Sequence, residues 1–282
     1  MRIRAGYEIT FDSPAPTPML LMLNVRPERL GDLETPDVIR TDPFTPIRQY
    51  RDLFGNLCSR IVAPSGRLTL SADFIVRDAG LPEAAAPQAL QHPVEALPDG
   101  VIPYLMGSRY CDVQELNDLA WKLFGHIEPG WARVEAIVDY AHRRLAFGYE
   151  HACPRRTAFQ AHEQRVGVCR DYAHLAITLC RCLNIPARYG TGYLGDIGVP
   201  PCDLPMDFAA FFEAYLDGGW HAFDPRHNAR RIGRIPMAYG RDAVDVAITT
   251  QFGPTELVGF EVITEEVRPE PSTTARELRA GA

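Results

Sequence analysis

Gly167-Val168-Cys169-Arg170-Asp171-Tyr172-Ala173-His174-Leu175 opens the clearest helical pattern in the chain. Cys169, Tyr172, Ala173, Ala176, Leu179, Cys180 and Leu183 recur on one helix face, which predicts a helix over 169–183. Asn184-Ile185-Pro186 stops it, and Ala187 to Leu194 then reads as a strand. A helix that starts at Cys169 sets its thiol among unpaired N–H groups and a partial positive charge, which favours thiolate. The same N–H groups suit the oxyanion formed when a thiolate attacks a carbonyl. A plainer reading stands beside this one: Cys169 is in phase with the apolar stripe and packs as a small hydrophobe. His174, five residues along the helix, lies roughly 140° around from Cys169 and reads as a core histidine.

Downstream, Phe208 to Leu216 and Trp220 to Asp224 read as a β-hairpin turned by Asp217-Gly218-Gly219. Upstream, Asp112 is placed to cap a helix ending at Phe124, and a second helix spans about Pro129 to Leu145. Residues 81–103, with Pro82-Glu83-Ala84-Ala85-Ala86-Pro87, have the composition of a linker. Residues 1–80 alternate apolar and polar in short runs broken by Pro and Gly, which predicts a small β-sandwich domain. The layout expected is therefore 1–80 β-sandwich, 81–103 linker, 104–264 core domain and 265–282 a disordered tail rich in Pro, Glu, Arg, Ser and Thr.

The 282 residues are 46% hydrophobic and carry a net charge of −7, with 29 Lys plus Arg against 36 Asp plus Glu. That balance argues against nucleic-acid binding, which calls for a basic stripe. No run of about 18 uncharged apolar residues exists, so no membrane partner is expected. The start is strand-like, not a signal peptide, which makes a cytoplasmic location the default expectation. Seven cysteines, at 58, 111, 153, 169, 180, 182 and 202, are odd in number and hold no Cys-x-x-Cys. They suggest neither a disulfide framework nor a zinc site. No phosphate loop, His-Glu-x-x-His or Gly-x-Ser-x-Gly occurs, and no metal or cofactor is expected.

Gly167 to Leu175, Leu183 to Tyr189 and Gly192-Tyr193-Leu194 resemble the nucleophile helix and following strand of the bacterial transglutaminase-like superfamily. Glu213-Ala214-Tyr215-Leu216, Trp220 and Phe223-Asp224-Pro225 resemble its next two strands, and residues 1–80 resemble the β domain that often precedes the core. The resemblance implies an α+β fold, a nucleophile helix on an antiparallel sheet, and a Cys-His-Asp triad. Cys169 takes the nucleophile position and Asp224 that of the orienting acid. It also implies a peptide or protein substrate, and partnership with ATP-grasp-type ligase systems.

The family histidine position holds Ala209. With a two-residue turn at Asp217-Gly218 or Gly218-Gly219, Ala209 shares a face with Asp224, and His221 points to the other. A three-residue loop reverses that relation, and neither register completes a triad with His221. His227 follows Pro225, where parity no longer binds it. The candidates are therefore His227, then His221, then no histidine; His162 stays open because its loop is not placed by pattern. Tyr189 and Trp220 are candidate substrate-binding residues, Tyr189 at least as readable as packing and Trp220, next to a turn, more readily a lid on the core. Asp171 reads as a solvated or capping carboxylate, and Arg226, Arg230, Arg231 and Arg234 as a carboxylate-paired loop. Two functions follow: a cysteine-dependent hydrolase or acyltransferase acting on peptide or isopeptide amides, or a catalytically silent module binding a peptide or protein.

Overall fold

The computed structural model describes residues 1–201 and 205–267. Its first strand, β1 (Arg2–Ser13), buries Ile3, Ala5, Tyr7, Ile9 and Phe11 on one face, the period-two alternation of a half-buried strand. β2 (Thr17–Leu21), β3 (Arg40–Asp42), β4 (Arg48–Arg51), β5 (Leu57–Ala63) and β6 (Gly66–Arg77) follow. Then come α1 (Val113–Phe124), α2 (Trp131–Arg144), β7 (Ala146–Phe147), α3 (Ala158–Gln164), β8 (Val166–Gly167) and α4 (Cys169–Cys182). The chain continues through β9 (Ala187–Tyr193), β10 (Ala209–Leu216), β11 (Gly219–Phe223), β12 (Ile235–Gly240), β13 (Thr249–Gln251) and β14 (Glu256–Glu266).

Two four-stranded antiparallel sheets, ordered β14-β1-β6-β3 and β13-β2-β5-β4, share one apolar cluster that includes Ile9, Leu21, Leu70 and Phe74. Both are completed by the end of the chain. β14 pairs with β1 from Ile3↔Glu266 to Asp12↔Glu256, and β13 pairs with β2. The division expected from sequence is corrected here: 256–264 belong to the β unit, not to the core domain. Glu265 and Glu266 are strand, not tail, because β14 keeps an inward face through Val262 and Thr264. The rest of the expected tail, from 268, lies outside the described residues.

The segment 81–103 is packed, not a linker. Ala89, Leu97 and Val101 are buried, Leu90 bridges Gly130, and Pro82 bridges Ile232. Prolines and alanines gave it a linker's composition, but Ala89, Leu97 and Val101 anchor it to the rest of the fold.

The third sheet, β11-β10-β9-β12, carries α4 on one face. Every residue of α4 from Asp171 to Cys182 is buried, since α1, α2 and α3 cover what the sheet does not. Its polar side chains are met inside: Arg181 donates to the carbonyls of Ala187, Met106 and Arg241, and Thr178 to that of His174. The sheet's other face meets the β unit, where Tyr193 packs edge-on against Phe74 with ring centroids 5.6 Å apart. The helix that holds Cys169 is thus fixed from all sides, with only its first turn reaching the surface.

Candidate active site

Cys169 is the first residue of α4 and keeps part of its surface exposed. The turn before it is locked by Asp171, whose Oδ2 accepts the Val168 N–H at 2.9 Å and an Arg156 guanidinium N–H at 3.2 Å. Asp171 therefore caps the helix, but from a buried position and not a solvated one. Burial pushes the Cys169 thiol up from its ordinary range; a hydrogen bond from the Ala210 backbone N–H opposes this, and the nearby Asp207 carboxylate reinforces it. The balance favours the neutral thiol at Cys169.

The β10–β11 hairpin closes through a two-residue turn, with Asp217 and Gly218 both at positive φ and Leu216 opposite Gly219. Phe212 pairs with Phe223, so Ala209 and Asp224 share a face, as the two-residue register requires. Pro225 ends the strand. The Asp224 carboxylate then caps the following turn, its Oδ1 accepting the His227 N–H at 3.0 Å, and the Asp224 carbonyl accepts the Asn228 N–H. That turn folds His227 back onto Asp224. Nδ1 lies 2.9 Å from Oδ2; an ionised carboxylate only accepts, so Nδ1 carries the proton and Nε2 is left to accept one.

Asp224 is almost wholly buried, at 3% exposure, yet ionised. Burial alone would raise its carboxyl, but the His227 hydrogen bond and the Arg234 guanidinium outweigh this and hold it well below the usual carboxylate range. Arg234 donates to Asp224 Oδ2 at 2.7 Å and to Glu83 Oε1 at 2.5 Å. Glu83 also accepts the Arg231 backbone N–H and pairs backbone to backbone with it. Arginines 231 and 234 are carboxylate- and carbonyl-paired, Arg231 reaching the Gly195 carbonyl, while Arg226 lies over the Phe147 ring at 3.8 Å.

Cys169 stands between two cavities. The first, of about 370 Å³, takes in Ala209, Asp207, Arg226 and His227. The second, of about 360 Å³, takes in Tyr189, Thr191, Ala210, Ile248 and Phe260. Asp207 and Phe208 border both. Among the described residues no imidazole hydrogen-bonds the Cys169 sulfur; His227 meets it across the first cavity.

Other sequence candidates are placed elsewhere. His221 packs edge-on against Trp131, with Nε2 3.2 Å from the Leu216 carbonyl, and borders neither cavity. Trp220 packs edge-on against Tyr104 and under the Arg188 guanidinium, six strand residues or about 20 Å along the ladder from Ala209. It closes a small cluster and does not reach Cys169. His162 bonds the Tyr140 hydroxyl, and buried His174 accepts the Ala243 N–H. Tyr189 does border the second cavity. Of the cysteines left open, Cys153 borders that cavity too, Cys111 is buried under α4, and Cys202 lies outside the described residues. Sequence reasoning missed Asp207, Glu83 and Phe260. Asp207 was reachable, lying two residues before Ala209; Glu83 and Phe260 arrive from distant segments that no local pattern ties to the site.

Among the described residues no group of three His, Cys, Asp or Glu is arranged to hold a metal, and no helix is long and apolar enough to cross a membrane. Residues 118–225 match the family model of the transglutaminase-like superfamily. A solved structure from Cytophaga hutchinsonii, titled a “Putative Cysteine Protease”, is 30% identical, covers 96% of this chain and 92% of its own, and superposes with a TM-score of 0.82. A Mycobacterium leprae protein of uncharacterised function is 26% identical over 220 residues, 74% of this chain and 77% of its own. With a relative this similar over nearly its whole length, and the family model over α4 and β9 to β11, the chain belongs to the transglutaminase-like superfamily.

Proposed function

We propose that the protein is a cysteine-dependent hydrolase or acyltransferase that cleaves peptide or isopeptide amides through a thioester at Cys169, with water preferred to an amine as acyl acceptor. One observation carries this: Cys169 and an imidazole already held on a buried carboxylate open onto the same cavity. In this reading His227 Nε2 takes the Sγ proton as the sulfur bonds the carbonyl carbon, and the carbonyl π pair moves to oxygen. Collapse breaks the C–N bond, and the leaving amine takes the proton from His227. Water then attacks the thioester, His227 receiving its proton and returning one to sulfur as the acid departs. Asp224 fixes the tautomer and stabilises the imidazolium. The similar Cytophaga structure carries a protease title, which supports hydrolysis over crosslinking.

A second reading is favoured by Ala209 and by the protonated resting thiol: a module that binds a peptide or partner in the same cleft without turnover. Peptide and isopeptide amides incubated with the protein, quenched in acid and analysed by mass spectrometry separate the two. The hydrolase reading expects released amine and an acyl mass on the Cys169 peptide, both abolished by Cys169→Ser. Binding without either product leaves the silent module.

A further inference from the structure

The two cavities beside Cys169 differ in what borders them, and the difference assigns them to the two sides of a substrate. Consecutive residues of β10 point to opposite faces, so Ala209 enters the first cavity and Ala210 the second. The first carries Arg226, Arg231, Asp207 and the His227 imidazole among apolar neighbours such as Leu194, Met206 and Phe208. Tyr189, Val246, Ile248, Phe208 and Phe260 supply the large apolar side chains of the second, where Arg170 and Asp207 are the charged neighbours. Phe260 comes from β14, on the β unit, and meets the core through the Phe208 ring at 5.9 Å. It is still 39% exposed, so an occupant of the cavity removes apolar surface from water that the fold itself leaves uncovered.

The proton transfers of the proposed reaction fix the direction. A leaving amine must lie within hydrogen-bond reach of the imidazole that protonates it, which puts the amine side of the scissile bond in the cavity of His227. The acyl side then has only the other cavity to occupy. We propose that this second cavity is the acyl-side subsite, taking the bulky apolar side chain of a peptide, with Phe260 of the β unit as a specificity-determining wall. The inference rests on the cysteine-hydrolase reading for its direction. It gives the β unit a part in substrate choice, since without β14 the subsite lacks one wall. Cys153, whose carbonyl accepts a hydrogen bond from Arg170, borders the same cavity.

The test uses the full chain carrying Cys169→Ala, so that binding is read without chemistry. N-acetyl-leucyl-glycinamide and N-acetyl-aspartyl-glycinamide are titrated and followed by NMR. The leucyl peptide is expected to bind at least about tenfold more tightly, and Phe260→Ala to bring the two within about threefold. Phe260→Leu, which keeps an apolar wall, is expected to retain the preference. Equal affinities in the parent, or a preference untouched by Phe260→Ala, overturns the subsite. A preference in the Cys169→Ala chain with no turnover by the wild type leaves the apolar pocket standing and removes the chemistry. Turnover without preference does the reverse.

Discussion

Asp224 Oδ2 takes two donors, His227 Nδ1 and Arg234 Nη2, in a place almost closed to water. Removing the charge leaves Arg234 facing Glu83 alone, and loss of one partner from such a buried network costs about 3 kcal/mol. The pH dependence has a definite sign. The folded carboxyl is held below its unfolded value of about 3.9, so the unfolded chain binds the proton first as pH falls. The stabilisation is complete above about pH 5 and is lost progressively as pH falls below about 4. Urea unfolding at pH 6 and pH 3.5 should show wild type losing stability between the two, and Asp224→Asn losing markedly less. Cysteine chemistry divides in the same way by local surroundings. Backbone N–H groups of Arg155 and Arg156, with two guanidiniums, pull the Cys153 thiol down, whereas burial pushes Cys169 up. Site-resolved iodoacetamide labelling at pH 7.5 is expected to modify Cys153 before Cys169, with buried Cys58, Cys111, Cys180 and Cys182 last.

α4 and the β10–β11 hairpin are the elements that make the site, and both were legible. The apolar spacing from Cys169 to Leu183 gave the helix, and Asp217-Gly218 gave a turn whose two positive-φ positions set the register. The sequence left a two- or a three-residue turn open, and the observed two-residue turn selects the register in which Ala209 and Asp224 share a face. His227 was harder, because what places it is not periodicity but the Asp224 side chain capping its own turn. Strand alternation turns His221 to the face away from Asp224, whereas Trp220 shares the face of Asp224 and is separated from Ala209 by six residues along the ladder. The packed segment before α1 bears on the site through Glu83, which holds Arg234 on Asp224. Glu83→Gln keeps one acceptor but loses the charge. Its expected effect is a stability loss of about 1–3 kcal/mol, read by thermal or urea unfolding, with the Arg231 and Arg234 amides exchanging hydrogen faster.

At the scale of the molecule, the β unit is begun by the first strands and finished by the last ones. No periodicity within 1–80 announces that its sheets need residues 249–266, since pairing across the whole chain is a long-range event. The core between them is an insertion whose sheet packs back on that unit through Tyr193 and Phe208. Ending the chain after Gln251 would strip β14 from β1 and bare a twelve-residue edge of β1. That truncation is expected to yield aggregated protein by size-exclusion chromatography, whereas ending it after Val267 leaves the sheet complete and the protein monodisperse.

The central claim is that His227 on Asp224 acts as base for Cys169 in spite of Ala209. The direct measurement is the rate of Cys169 modification at pH 7 by an acetyl-leucyl chloromethyl ketone, resolved from Cys153 by peptide mass spectrometry. Wild type is compared with His227→Ala and with His221→Ala. The account predicts that His227→Ala slows the reaction by about a hundredfold, the scale of general-base assistance, and that His221→Ala leaves it unchanged. Equal rates in wild type and His227→Ala would contradict it.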